Sequence, residues 1–265
     1  EIEAALGKYI EPNMGSDLVS AGCVKKLGIE DDRITIDIEL GFPINGYEKA
    51  LESDVREALA VLGSDHELNL SISRKITDHA VHTGAKRIPK IKNTIAIASG
   101  KGGVGKSTTT TNLALALRYA GAQVGVLEAD IYGPSQPRML GAHGKPDSFD
   151  GKSMEPKVTF GIHSISIGNL IDEDTPMIWR GPMATGALEQ MINDTNWQDL
   201  DYLLIDLPPG TGDIQLTLSQ KIPLSGALIV TTPQDIALLD ARNRESHVRI
   251  GRRPWLVVVV DHIDH

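Results

Sequence analysis

One stretch leaves this chain little architectural freedom: Ser99-Gly100-Lys101-Gly102-Gly103-Val104-Gly105-Lys106-Ser107-Thr108. It satisfies G-x-x-x-x-G-K-S, follows the apolar run Thr94-Ile95-Ala96-Ile97-Ala98, and leads into helix-forming sequence from Ser107 to Tyr119. A phosphate-binding loop requires this strand–loop–helix context. The glycines let successive backbone N–H groups turn inward where a Cβ would obstruct them. The first turn of the helix adds unpaired N–H groups and the positive end of its dipole. Gly100 to Thr108 are therefore expected to cradle ATP, with Lys106 on the β- and γ-phosphates and Ser107 on Mg²⁺.

The surrounding pattern sets the fold class. Gln123 to Leu127, Tyr202 to Ile205 and Ala227 to Val230 are further continuous apolar runs, with helical stretches at Met183 to Ile192 and Ile214 to Gln220. Buried strands alternating with crossover helices predict an α/β domain with a mostly parallel sheet covered on both faces. Ligands in such sheets bind at the carboxyl ends of the strands, where the loop lies.

The first 75 residues read differently. Ile2, Ala5, Leu6 and Ile10 recur at helical spacing, with Pro12-Asn13 as the stop. Arg33 to Leu40 alternates polar and apolar residues as a half-buried strand, preceded by a turn at Asp31-Asp32. Tyr47 to Leu62 is helical with Gly63 as its end, and Leu68 to Ile72 is a second alternating strand. This predicts a small α+β domain over 1–75, a polar, basic linker over 76–92, and the nucleotide domain over 93–265.

Composition excludes some classes. The 265 residues carry a net charge of −9, which does not favour nucleic acid or an anionic membrane. One cysteine, Cys23, excludes a disulfide framework and suggests a reducing, cytoplasmic setting. No apolar run approaches the ~18 residues of a membrane span. The expected partners thus include neither nucleic acid nor membrane.

Two carboxylates complete the expected site. Asp206 ends the run Tyr202 to Ile205 and reads as the acidic residue that holds the hydration shell of Mg²⁺. Asp130 follows the second run, in Glu128-Ala129-Asp130-Ile131-Tyr132-Gly133-Pro134-Ser135. Pro208 to Asp213 reads as a switch that senses the γ-phosphate.

These residues carry a family resemblance. Gly-Lys-Gly-Gly-Val-Gly-Lys-Ser-Thr, with Lys101 directly after the first glycine, resembles the deviant Walker A motif of the MinD/ParA/nitrogenase-iron-protein class. That likeness implies an ATP-dependent homodimer in which Lys101 reaches the partner's nucleotide and Asp130 orients the attacking water, giving Lys101, Lys106 and Asp130 as catalytic residues. Four segments narrow it: Asp130 to Ser135, Trp179 to Met183, Asp206 to Asp213 and Val230 to Asp235. Together they resemble the Mrp/ApbC branch of ATP-binding iron–sulfur cluster carriers, related to the Nbp and Ind proteins, over roughly Lys92 to Arg242. Asp17 to Cys23 and Ile36 to Pro43 resemble the iron–sulfur-assembly domain fused in front of bacterial members. The resemblance implies slow ATP hydrolysis coupled to delivery of [4Fe–4S] clusters to apo iron–sulfur proteins.

Two departures stand against that pattern. The C-x-x-C pair with which the family holds its cluster is absent, so no cluster ligand is assigned, and Cys23 reads as a small buried residue. After Arg242 the expected amphipathic helix gives way to charged sequence, which reads as a truncated or frameshifted tail, although Leu256 to Val260 still suits a strand. Asp261, His262, Asp264 and His265 read as a chance cluster rather than a metal site. The competing readings are a MinD/ParA-type positioning or partitioning ATPase and an ATP-binding remnant unable to hold a cluster.

Overall fold

A computed structural model describes residues 1–30, 33–62, 67–81, 86–131, 133–170, 181–210, 222–233 and 256–259. The chain divides into two compact units, Glu1–Thr77 and Asp78–His265.

The first unit contains α1 (Ile2–Leu6), β1 (Ile10–Glu11), β2 (Ser16–Asp17), β3 (Val24–Glu30), β4 (Arg33–Leu40), α2 (Glu48–Leu59) and β5 (Glu67–Arg74). Strand β4 lies between β3, antiparallel, and β5, parallel. Its period-two pattern buries Ile34, Ile36, Ile38 and Leu40 on one face. Helix α2 buries Leu51, Val55 and Leu59, spaced four apart along one stripe. Both sets belong to one apolar core with Ile2, Leu6 and Leu18. The first helix is shorter than its spacing predicts. It ends at Leu6, and Ile10, 54% exposed, begins β1 instead. A 3₁₀ turn over Ala60–Leu62 finishes the α2 region. The expected turn at Asp31-Asp32 and the stop at Gly63 lie outside the described residues.

The second unit is built on β6 (Ile91–Ser99), α3 (Lys106–Tyr119), β7 (Val124–Glu128), α4 (Gln136–Leu140), β8 (Lys157–Thr159), β9 (Ile162–Ser166), α5 (Gly181–Asn193), β10 (Leu200–Asp206), β11 (Gly226–Thr231) and β12 (Leu256–Val259). Its seven described strands run in the order β12-β11-β6-β10-β7-β9-β8. Every pairing is parallel except β8 with β9 at one edge. Strand β6 starts at Ile91 and Ile88 is already buried, so the end of the basic stretch belongs to this unit.

Alternate residues of the strands face opposite layers. Ala96, Leu203 and Ile205 enter the core shared with Leu188, Met191 and Ile192 of α5 and with Trp197. Ile97, Leu228 and Val230 face the other way, with Val104 of the glycine-rich loop and Leu113 of α3. Full burial of such a side chain is worth ~1.5–3 kcal/mol, so the loop is anchored through Val104 as well as by its flanks. No helix among the described residues is long and apolar enough to cross a membrane. The segment Ile214 to Gln220, most of the tail after Arg242, and the Asp261 to His265 cluster fall outside the described residues.

Candidate nucleotide site

The site sits at the carboxyl ends of β6, β10 and β7, three neighbours in the sheet. Strand β6 ends at Ser99, and the loop then runs to Gly105, whose φ of 83° makes it the left-handed cap of α3. Gly103 also has positive φ, 78°. A Cβ built on Gly102, Gly103 or Gly105 would meet nothing within 4 Å, so these glycines border open space. The positive dihedrals exclude most side chains without strain and turn backbone N–H groups along the loop. At the loop's base the Ser99 hydroxyl donates to the Lys101 carbonyl at 3.0 Å, and the Gly210 N–H donates to the Ser99 carbonyl at 3.2 Å. The segment after β10 is thereby tied to the start of the loop.

Lys106, only 6% exposed, turns inward from the first position of α3. Its ammonium pairs with Asp206 Oδ1, lies 3.8 Å from Asp130 Oδ2, and donates to the Ser107 hydroxyl at 3.3 Å. Asp206 is fully buried at the end of β10, and Asp130, 7% exposed, lies two residues beyond the end of β7. The structure therefore brings Lys106, Ser107, Asp130 and Asp206 together. Lys101 and Thr108 are solvent-exposed on the loop and the helix, and Gly100 is half-buried.

The sequence reading gave no role to two buried polar residues. Gln136, 1% exposed, donates through Nε2 to Asp206 Oδ2 and to the Ser107 carbonyl, both at 3.0 Å, while its Oε1 accepts from Thr111 Oγ1 at 2.8 Å. Glu128 is fully buried at the end of β7, in register with Asp206 on the neighbouring strand. Its Oε1 accepts from the backbone N–H groups of Ser135 at 2.5 Å and Gln136 at 3.0 Å, and its Oε2 accepts from Ser166 Oγ at 2.5 Å. Burial pushes the Glu128 carboxyl above its ordinary range, against the lowering effect of those donors. The available signal was a carboxylate closing an apolar strand eight positions before the first residue of α4; spacing alone gave it no partner.

The donors suit a nucleotide with a hard divalent cation. Open space beside positive-φ glycines admits phosphate oxygens, and a hydroxyl with carboxylates forms an all-oxygen set of the kind Mg²⁺ takes. Thiolate ligation of an iron–sulfur cluster is a different matter. Cys23, the sole cysteine of the sequence, is 6% exposed, lies 3.8 Å from Met14 Sδ, and burial pushes its thiol up. Among the described residues no group of three His, Cys, Asp or Glu side chains is placed to hold a metal ion. Trp179 and residues 211–213 and 234–235 lie outside the described residues, so the far side of the expected switch is not part of this geometry.

Residues 90–261 match the model of a family described as NUBPL iron-transfer P-loop NTPase, and residues 1–69 match one described as iron-sulfur cluster assembly protein. The iron-sulfur cluster carrier protein of Haemophilus influenzae is 46% identical over 91% of this chain and 65% of its own length. That of Pseudomonas fragi is 52% identical over 76% of this chain and 71% of its own. The chain thus spans about two thirds of the curated relatives it matches, 65% and 66% for those of Haemophilus influenzae and Escherichia coli. A nucleotide-binding protein from Archaeoglobus fulgidus, solved in complex with ADP, superposes with a TM-score of 0.54 at 37% identity, over 65% of this chain and 68% of that one.

Proposed function

Since this chain belongs to the NUBPL iron-transfer P-loop NTPase family, we propose that it binds ATP with Mg²⁺, hydrolyses it slowly, and works as an ATP-dependent carrier of [4Fe–4S] clusters for apo iron–sulfur proteins. One observation carries the nucleotide part: a buried lysine at the head of α3, paired with two buried carboxylates beneath a loop of positive-φ glycines. An ammonium and two carboxylates in that position are what phosphoryl transfer needs, because its catalysis is mostly positioning and charge neutralisation. The backbone N–H groups of Gly102 to Lys106 bind the phosphates. Lys106 leaves Asp206 and Asp130 for the β- and γ-phosphate oxygens. Ser107 and Asp206 would hold Mg²⁺, which would supply positive charge against those oxygens. Asp130, freed of Lys106, orients the attacking water, and Lys101 serves the nucleotide of a second copy.

The cluster is cargo in this reading. One buried thiol does not make a cluster ligand set, so no transfer step is derived from these residues. That same observation favours a second reading, an ATP-binding member that carries no cluster by itself. Anaerobic reconstitution with iron and sulfide, followed by analysis of both elements, separates the two. Stoichiometric uptake supports the carrier, and no uptake with intact ATP binding supports the second reading. The nucleotide role is tested by Lys106→Ala. Loss of the charge-assisted contacts should weaken ATP binding by at least about tenfold, as hydrogen bonds to charged groups are worth ~1.5–3 kcal/mol. Unchanged affinity by calorimetry would remove Lys106 from the site.

A further inference from the structure

The two polar residues that the nucleotide site leaves unexplained form one continuous chain of bonds. The Gly168 N–H donates to Ser166 Oγ at 3.0 Å, and Ser166 donates to Glu128 Oε2 at 2.5 Å. Glu128 Oε1 accepts from the Ser135 and Gln136 N–H groups and so fixes the backbone at the start of α4. The Gln136 side chain then spans from α4 to α3 and β10, touching the Ser107 carbonyl, Thr111 Oγ1 and Asp206 Oδ2. Every polar atom of the Gln136 side-chain amide faces a protein partner, and Gln136 and Glu128 are 1% and 0% exposed.

The two oxygens of Asp206 have different partners. Oδ1 takes the ammonium of Lys106, and Oδ2 takes the amide of Gln136. We infer that Gln136 is the positioning residue of the site: it clamps Asp206 by Oδ2, so that the carboxylate keeps its orientation toward Mg²⁺ when Lys106 departs to the phosphates. Glu128 acts one step further back, holding the Gln136 backbone at the right height over α3. The inference rests on the nucleotide reading proposed above. Gln136 touches neither nucleotide nor reacting atoms in this scheme; it works through Asp206. A carboxylate left without such a clamp spends part of its time in other rotamers, and partners of metal ligands are typically worth about 10–100-fold in metal affinity.

The experiment is calorimetric titration of the full chain with ADP, once in EDTA and once in Mg²⁺, for wild type, Gln136→Met, Glu128→Gln and Glu128→Ala. Met fills the Gln136 volume without a donor. Gln at position 128 keeps the acceptor for both N–H groups, and Ser166 can reverse its hydroxyl to accept from the new amide. Wild type should bind ADP more tightly in Mg²⁺ than in EDTA. Gln136→Met should lose about tenfold of that Mg²⁺ advantage with its EDTA affinity within about twofold of wild type. Glu128→Gln should retain the advantage, whereas Glu128→Ala should lose it. A full Mg²⁺ advantage in Gln136→Met overturns the inference, and so does an equal loss in EDTA and Mg²⁺, which is what mere support of the loop would give. Should Gln136→Met not fold, Gln136→Asn, whose shorter amide falls short of Asp206, takes its place with the same two outcomes. Wild type that binds no ADP, or gains nothing from Mg²⁺, sinks the nucleotide reading itself and is distinguishable from either result.

Discussion

Glu128 shows how a single residue's environment becomes measurable. Its bonds come from two backbone N–H groups and the hydroxyls of Ser135 and Ser166, and burial still holds its carboxyl above the ordinary ~4.3. A group whose folded pKa is raised contributes stability that is complete below the unfolded pKa and is lost as pH rises through the folded one. Glu128→Gln has no proton to lose there. Its melting temperature should exceed that of wild type near pH 8, and the difference should shrink as the pH falls toward about 4. Thermal denaturation across that range checks the sign; a gap that widens on acidification would contradict it. The bend of the loop was legible in the sequence, because Gly103, Gly105 and the helix start at Lys106 lie within a few positions of one another. Gln136 was not, because its partners lie 29 and 70 positions away along the chain. Only the parallel register that sets Asp206 beside Glu128 brings them together.

At the scale of elements, the central strands were plain. Strands β6, β7, β10 and β11 each contain a continuous apolar run, the pattern that burial on both faces demands. The edges were less so. Strands β8 and β9 are only 3 and 5 residues long, too short for a period to declare itself. Strand β3 escaped for another reason: its residues are half-buried or exposed throughout. Gly125 in β7 records how closely the central layer is packed. A Cβ there would lie 2.5 Å from Leu200 Cδ1, 3.0 Å from Leu203 Cδ1 and 3.2 Å from Trp197 Cζ3. Leucine methyls can retreat from one added carbon, but not from a branched side chain between an indole and two buried leucines. Gly125→Val is expected to lower stability by about 1–3 kcal/mol, read as a lower urea midpoint with an unchanged slope.

On the scale of the whole molecule, the proposed shared site makes a prediction that one copy of the chain cannot meet. Lys101 is solvent-exposed on the loop and is assigned no phosphate contact within its own chain. Lys101→Ala should therefore bind ATP as tightly as wild type and turn it over at least about tenfold more slowly, a loss of roughly 1.4 kcal/mol in transition-state stabilisation. A wild-type turnover rate would leave the second copy without a chemical role. The internal pairing of Lys106 with Asp206 and Asp130 has a consequence for what the pocket admits. One ammonium offsets only one of the two carboxylate charges, so on the proposed reading a bare polyanion has to displace the lysine and leave both buried carboxylates without it. A ligand that arrives with its own divalent ion would replace the ammonium with a cation of twice the charge, matching the two carboxylates. On the proposed reading, the pocket would thereby discriminate by counter-ion as well as by shape.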